Sequence, residues 1–257
     1  MPHFHWWRTV FWLIPAITMY TIVLGAVSVA SSLVDHRGHA AHWCARTWSW
    51  LILATTGVHV RTTGVERVPR DGAYVFVSNH QSIYDIPILF STLPFQLRII
   101  AKAALGFFPV LGWHLRYTGH LLVDRARPGA ATLNQVAGLM RRCHSLIVFP
   151  EGTRSADGRV GRFKRGIFLV AVEAGLPIVP VAVIGSRHVM LKGRLMTCPG
   201  EVEVVVHDPL PTHDLSRDDV RGLADRTRDI VSATVTTRER YVRGLDRGYH
   251  PASTALR

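Results

Sequence analysis

The chain has 257 residues, enough for one large domain or for a domain with an appendage. Hydrophobic residues make up 48% of it and the formal net charge at pH 7 is +12. These values predict anionic partners, and the apolar bias favours a membrane surface over nucleic acid. The three cysteines are widely spaced, which excludes a zinc motif or a disulfide framework and is typical of a protein that faces the cytoplasm.

The first predicted element is an N-terminal arm. Residues 9–34 contain no charged side chain, and about 20 apolar residues suffice for a helix to cross a bilayer. Only Arg8 precedes this segment and its end is a poor cleavage site, so a retained anchor is favoured over a cleaved signal or a buried soluble helix. Residues 47–60 are short for a span, and segments of this length are more often re-entrant, interfacial or part of a core.

We therefore predict that residues 1–62 are membrane-anchoring helices, as a hairpin in one leaflet or as one span plus an interfacial helix. The anchored surface is expected to be the cell (inner) membrane, with the remainder of the chain in the cytoplasm. His36, His39 and His42 lie between the two apolar segments. Their three-residue steps turn around a helix and no carboxylate or thiolate completes a site, so no metal is predicted.

From about residue 65 the pattern becomes an alternation of apolar strands and helices. Helical lengths are found at 131–143 and 165–175, and residues 63–210 are predicted to form an α/β domain with a sheet covered on both faces. Residues 211–257 are predicted to be a C-terminal helix and a polar tail. The predicted strands are 73–79, 97–102, 119–124, 145–150, 177–185 and 201–207.

The first candidate site is the segment VSNHQSIYDIP, residues 77–87, where an apolar strand ends on His80. Residues five apart cannot share one face of a regular helix, so only a strand–loop–helix bend would bring Asp85 to His80. A carboxylate bound to one imidazole nitrogen leaves the other as a base. The G-x-S-x-G pattern of an activated serine is absent, so the base would act directly on a substrate hydroxyl. A structural histidine beside a capping aspartate is the alternative.

Charged residues end three further strands. Glu151 and Arg154 follow one strand in FPEGTRS, Arg125 follows another in GHLLVDR, and Lys102 ends a third. Arginine is well suited to grip a phosphate. Cations at the ends of strands near a candidate base predict a site for an anionic substrate, with scattered surface charges as the alternative.

The blocks NHQSIYD, GHLLVDR, FPEGTRS and LPIVPVAVIG, in that order, resemble the four motif blocks of the glycerolipid acyltransferases. Within them, the 1-acyl-sn-glycerol-3-phosphate acyltransferases are the closest in pattern. The resemblance covers residues 70–190 and implies a mixed, mostly parallel sheet. One departure is Ala104, where the family often has a glutamate.

The resemblance implies acyl transfer from acyl-CoA or acyl-carrier protein to a lysophospholipid in the bilayer, without a cofactor or metal. His80 would be the base and Asp85 its orienting partner. The implied substrate-binding residues are Lys102, Arg125, Glu151, Gly152, Thr153 and Arg154. Backbone amides near His80 are expected to stabilise the oxyanion.

Three alternatives stay open at the level of sequence. The acceptor could be a lyso-ornithine lipid or a mannosylated lipid, because the motif blocks do not fix the head group. A membrane-tethered module that binds anionic lipid without catalysis would have no need of His80 and Asp85. A soluble nucleic-acid binder is the weakest alternative, since it leaves the apolar arm unexplained.

Overall fold

The computed structural model describes residues 2–35, 37–123, 138 and 144–242. The chain begins with helix α1 (Pro2–Arg8), a π-helical turn (Thr9–Leu13), α2 (Ile14–Ser31) and α3 (His39–Thr56). The first three segments are continuous. From Phe4 to Ser31 they form one helix, whose most apolar stretch of 18 residues has a mean hydropathy of 2.0, and 6% of that stretch is buried. Its length and composition are sufficient to cross a membrane.

The domain is built on one seven-stranded sheet in the order β1-β7-β6-β2-β5-β3-β4. Every neighbouring pair is parallel except β6 and β7. Five strands therefore end at one edge of the sheet, and the predicted mixed, mostly parallel sheet is confirmed. The strands are β1 (Val58–Thr63), β2 (Val75–Ser78), β3 (Leu97–Lys102), β4 (Leu121–Val123), β5 (Ser145–Val148), β6 (Ile178–Ile184) and β7 (Gly200–Val206).

Helices cover both faces of the sheet. On one face Phe76 of β2 packs with residues of α3 and α4, whereas its neighbours Val75 and Val77 point to the other face and pack with α6 and α8. This alternation follows from the two-residue period of a strand. The remaining helices are α4 (Asp85–Thr92), α5 (Leu111–Tyr117), α6 (Gly166–Glu173), α7 (Ser186–Val189) and α8 (Val220–Val242), with 3₁₀ turns at Val65–Arg67 and Ala103–Phe107.

Two regions differ from the sequence-based expectation. The apolar segment 47–60 divides at Gly57, whose left-handed φ of 75° ends α3, and Val58 begins a strand that was not predicted. Residues 58–63 thus pair with β7, although 1–62 were expected to be anchoring helices. The predicted helix 165–175 is confirmed as α6. The predicted helix 131–143 lies outside the described residues apart from residue 138, and His36 and the polar tail from 243 onward lie outside them entirely.

The N-terminal arm is attached to the domain by polar contacts. Arg8 donates to the carbonyl of Thr197 at 3.3 Å, and the Thr197 N–H donates to the Thr9 hydroxyl at 3.0 Å. Between the two long helices, Trp48 Nε1 donates to the Thr21 hydroxyl at 2.9 Å. The arm is therefore a helical hairpin fixed against the domain.

Candidate active site

Two neighbouring strands bring the predicted catalytic and substrate-binding loops to the same edge of the sheet. β2 pairs with β5 in parallel, with Val77 opposite Val148, so the segments that follow the two strands leave the sheet side by side. His80 follows β2 and the 149–155 segment follows β5. In open α/β sheets ligands bind outside the carboxyl ends of the strands, which makes this edge the candidate active site.

His80 and Asp85 contact each other across the bend between β2 and α4. His80 Nδ1 lies 2.8 Å from Asp85 Oδ2, and the carboxylate is fully buried at the first residue of α4. The same oxygen accepts the backbone N–H groups of Gln81 and Ser82 at 2.7 and 2.9 Å. Because this oxygen is an acceptor, Nδ1 carries the proton of the neutral imidazole and the lone pair is on Nε2.

Glu151 holds the backbone of the His80 loop, which is a different contact from the one predicted. Its Oε1 accepts the His80 N–H at 2.8 Å and its Oε2 accepts the Gly161 N–H at 2.9 Å. Burial raises the pKa of Glu151, and these two backbone bonds oppose that rise. The Ser155 N–H donates to the His80 carbonyl at 2.7 Å. The 149–155 segment therefore fixes the backbone of His80 from both sides.

Two further residues hold the histidine in place. The Phe149 ring stacks on the His80 imidazole, with centroids 4.2 Å apart and an interplanar angle of 22°. The Asn79 side chain pairs with the backbone of Val183 in β6, donating to its carbonyl and accepting its N–H, each at 2.8 Å. Sequence reasoning missed both roles. Asn79 stands in the quoted block, but its partner is remote in sequence.

The Gly152–Arg154 loop is accompanied by two lysines. Lys192 Nζ donates to the Thr153 hydroxyl at 3.1 Å and to the Arg154 carbonyl at 2.7 Å. Gly152 has a φ of 74°, and a Cβ there would lie 2.9 Å from Lys164 Nζ. Arg154 itself is half-buried. The loop is thus a cluster of cations, of which the sequence predicted only Arg154.

A signal for one of these lysines was present in the sequence. Lys164 lies just before α6, between two of the motif blocks that carry the family resemblance, whereas Lys192 lies in a loop without a recognisable pattern.

Lys102 and Arg125 were predicted to complete the cationic site. Lys102 is the exposed last residue of β3, and β5 separates that strand from β2. Arg125 lies outside the described residues; β4, which leads to it, places Val123 opposite Lys102. Ala104, at the position where the family often has a glutamate, is exposed in the 3₁₀ turn that follows β3. The phosphate-binding role of Lys102 and Arg125 stays a prediction.

An apolar cavity of about 320 Å³ adjoins the His80–Asp85 bend. Ile83 comes from the bend itself, and Ile86 and Pro87 come from the first turn of α4. The opposite walls come from the N-terminal hairpin, and the sequence did not predict the cavity because its walls are remote from one another in the chain. The hairpin contributes Ile17, Thr21, Leu24, Ala45 and Trp48, among others.

The sequence is similar to those of known acyltransferases. A family model described as Acyltransferase matches residues 59–184. A 1-acyl-sn-glycerol-3-phosphate acyltransferase of Chlamydomonas reinhardtii is 32% identical over 226 residues, 86% of this chain and 66% of that protein. The acl-2 protein of Caenorhabditis elegans, which bears the same enzyme name provisionally, is 32% identical over 228 residues, 83% of this chain and 78% of that protein. The chain thus spans about two thirds of the algal relative.

The fold has a similar counterpart among solved structures. The crystal structure of PlsC, the 1-acyl-sn-glycerophosphate (LPA) acyltransferase from Thermotoga maritima, aligns with a TM-score of 0.80 and 26% identity, covering 97% of this chain and 100% of that one. Agreement of sequence and fold over nearly the whole chain confirms the resemblance that the motif blocks indicated. The chain therefore belongs to the 1-acyl-sn-glycerol-3-phosphate acyltransferase family of O-acyltransferases.

Proposed function

We propose that this protein transfers a fatty acyl group from acyl-CoA or acyl-carrier protein to the sn-2 hydroxyl of lysophosphatidic acid, giving phosphatidic acid for phospholipid biosynthesis. The observation that supports this best is the 2.8 Å contact between His80 Nδ1 and Asp85 Oδ2 at the carboxyl edge of the sheet. We propose further that the reaction needs no cofactor, because a thioester is already an activated acyl group.

The chemistry proposed for His80 is general base and then general acid catalysis. Nε2 takes the proton from the acceptor hydroxyl while the oxygen attacks the thioester carbonyl. The resulting imidazolium is stabilised by Asp85, which stays ionised. When the tetrahedral intermediate collapses, the carbon–sulfur bond breaks and the imidazolium returns its proton to the leaving thiolate. The products are the acylated lipid and the free thiol of the donor.

The backbone amides of His80, Gln81 and Ser82, which were expected to stabilise the oxyanion, already have hydrogen-bond acceptors. The backbone N–H groups of His80, Gln81 and Ser82 all donate to the carboxylates of Glu151 and Asp85 at 2.7–2.9 Å. These amides are therefore engaged in holding the histidine and do not face a substrate carbonyl.

The phosphate of the acceptor and a fatty acyl chain would bind to different surfaces. The cations around the Gly152–Arg154 loop would bind the phosphate of lysophosphatidic acid by charge-assisted hydrogen bonds. The apolar cavity beside the His80–Asp85 bend would take an acyl chain, since ligand pockets of about 300–1,000 Å³ are mostly apolar with few polar groups.

Replacing Arg154 by alanine should weaken the use of lysophosphatidic acid. Loss of a hydrogen bond to a charged group costs roughly 1.5–3 kcal/mol, which is about 10- to 150-fold in an equilibrium constant. The loss should fall mainly on KM if the contact is equally good in the ground and transition states. It should fall on kcat as well if phosphate binding aims the hydroxyl at His80. Steady-state kinetics of the purified variant measure both constants.

Two controls separate the acceptors. Arg221→Ala removes an exposed arginine of α8 and should leave kcat/KM unchanged. A lyso-ornithine lipid offers no phosphate, so Arg154→Ala should not impair its use. An equal loss on both acceptors would mean that Arg154 supports the loop. A wild-type enzyme that prefers the lyso-ornithine lipid would overturn the choice of acceptor and leave acyl transfer standing.

We propose that the Phe4–Ser31 helix attaches the protein to the inner membrane, with the domain on the cytoplasmic side. Large apolar side chains on this helix are exposed, among them Phe11 at 64% and Val23 at 54%. Their exposure supports contact with lipid, because contiguous apolar patches on soluble proteins mark interaction surfaces. A bilayer-bound enzyme would also meet an acceptor that resides in the bilayer.

The full-length protein should sediment with membranes and resist extraction by high salt, because burial of apolar surface is not screened as surface charge is. The double variant Phe11→Lys, Val23→Lys should move to the soluble fraction or become extractable by salt. Immunoblots of fractionated lysates provide the measurement. Release of the wild-type protein by salt alone would show that its basic surface provides the attachment.

A further inference from the structure

A buried arginine lies at the edge of the sheet opposite the candidate active site. Arg98 is the second residue of β3, whose last residue, Lys102, is at the carboxyl edge. Arg98 is 3% exposed. Buried charges in proteins are ordinarily paired, because removing an ion from water costs several kcal/mol.

Within the part of the chain that the structure describes, Arg98 has no carboxylate within 4.0 Å. Its Nη1 donates to the carbonyl of Leu97 at 3.0 Å, and its buried Nε has no hydrogen-bond partner. Burial lowers the pKa of Arg98 to about 10, so the group is charged at neutral pH. Among the described residues, it is a buried cation with one side-chain hydrogen bond, to the Leu97 carbonyl, and an unpaired Nε.

The neighbouring imidazoles do not compensate this charge. Burial lowers the pKa of His114 to about 4, and burial lowers that of His120 well below its usual value, with the Arg98 charge adding to both shifts. Both rings are therefore neutral at physiological pH. A neutral imidazole offers no counter-charge to the guanidinium.

The guanidinium borders a polar cavity of about 180 Å³ beneath the turn between α2 and α3. The packing is close, because a Cβ on Gly38 of that turn would lie 2.7 Å from Arg98 Nη2. Arg37 and Asp35 also line the cavity. One water molecule occupies about 30 Å³ in the liquid. A cavity several times that volume has room for an anion the size of phosphate.

Asp35 is the one acidic side chain among the lining residues, and it is already engaged. Its Oδ1 accepts the N–H groups of Arg37 and Gly38 at 3.1 and 3.0 Å, and its Oδ2 accepts that of Ala40 at 2.6 Å. The carboxylate thus caps the start of α3 and forms no ion pair with Arg98 within 4.0 Å, although its charge opposes part of the effect of burial on the pKa of Arg98. Two arginines against one aspartate leave the lining positive.

We propose that this cavity is a second anion site, in which Arg98 binds a phosphate group beneath the turn of the N-terminal hairpin. The site is separate from the cations around Arg154 and is not needed for the proposed reaction. Leu33 and Val34 of the same turn are 79% and 82% exposed, so an apolar surface adjoins the cavity. The phosphate could belong to a phospholipid head group or be free in solution.

The test uses the full-length chain in detergent, with Arg154→Ala as background so that phosphate binding at the catalytic edge is weakened. Sodium phosphate is titrated at constant ionic strength against sodium chloride, and Tm is followed by tryptophan fluorescence. A ligand that binds the folded state raises Tm. Arg98→Gln should weaken the apparent phosphate affinity by roughly tenfold or more, whereas Arg116→Gln, an exposed arginine of α5, should not.

Ser32→Leu tests the same site without touching Arg98. Ser32 lines the cavity, and a leucine there would occupy the space of the anion, so it should also abolish the phosphate effect.

Flotation with phosphatidylcholine vesicles, with and without phosphatidic acid, distinguishes the two sources. If Arg98→Gln abolishes a preference for anionic vesicles, the ligand is a lipid head group. If Arg98→Gln weakens only the effect of inorganic phosphate on Tm and leaves vesicle binding unchanged, the ligand is a free anion. A phosphate effect that persists in both Arg98→Gln and Ser32→Leu, or no effect in the Arg154→Ala background, would overturn the proposal.

Discussion

Replacing His80 by alanine should lower the rate of acyl transfer by about 10²–10⁴-fold, the usual contribution of a general base. On the proposed mechanism the loss should appear in kcat, because the imidazole would act on the hydroxyl in the transition state and other residues would bind the phosphate. Removing the ring leaves Phe149 without its stacking partner. The backbone bonds from Glu151 and Ser155 do not depend on the side chain, so the fold should persist.

The matched control is His213→Ala, which removes an exposed imidazole paired with Asp214 and should leave the rate unchanged. Circular dichroism and Tm establish that each variant is folded. A folded His80→Ala protein with a wild-type rate would remove the catalytic proposal and favour a module that binds anionic lipid without catalysis.

Asp85→Asn should also reduce turnover strongly, by up to about 10⁴-fold if the orienting carboxylate acts as it does in serine-protease triads. The asparagine oxygen can still accept the N–H groups of Gln81 and Ser82, so the bend between β2 and α4 is expected to form. The variant loses the negative charge that stabilises the imidazolium of His80. KM for lysophosphatidic acid should change little, since Asp85 is fully buried and does not reach a substrate.

Asp229→Asn provides the control, because Asp229 is exposed and, in the described residues, forms a surface pair with Arg228. The expected pattern is a fall in kcat for Asp85→Asn alone. A rise in KM without a fall in kcat would contradict the orienting role and place Asp85 in the framework of the acceptor site.

The sequence predicted those parts of the fold whose signals are local. The helix–turn–strand of 165–185 follows from Gly175, which has a φ of 64°, and from two prolines that exclude a longer helix. His80 and Asp85 are only five residues apart in the chain, so the bend that joins them could be inferred. The strand β1 was missed, because its first residues close the uncharged segment 47–60, which was interpreted as one element, and its partner β7 is remote in the chain.

The supporting contacts of the site were beyond sequence reasoning for the same reason. Glu151 was predicted to bind substrate, yet its carboxylate accepts the backbone N–H groups of His80 and Gly161, and backbone amides have no sequence signature. Lys192 reaches Thr153 from a loop without a pattern. In the sequence, Arg98 is a single cation within an apolar strand, and nothing local predicts that it is buried. The burial is seen only in the packing of the hairpin turn against it.

The pairing of β1 with β7 has a consequence for how the protein is made. The arm and β1 leave the ribosome before β7, and more than a hundred residues must follow β1 before this partner strand is synthesised. Contacts so distant in sequence form late, since the intervening loop must close. On the proposed membrane placement, the apolar helices meet the bilayer while the sheet still lacks its last strand. Insertion would then precede assembly, and the domain would complete its fold already tethered to the lipid surface.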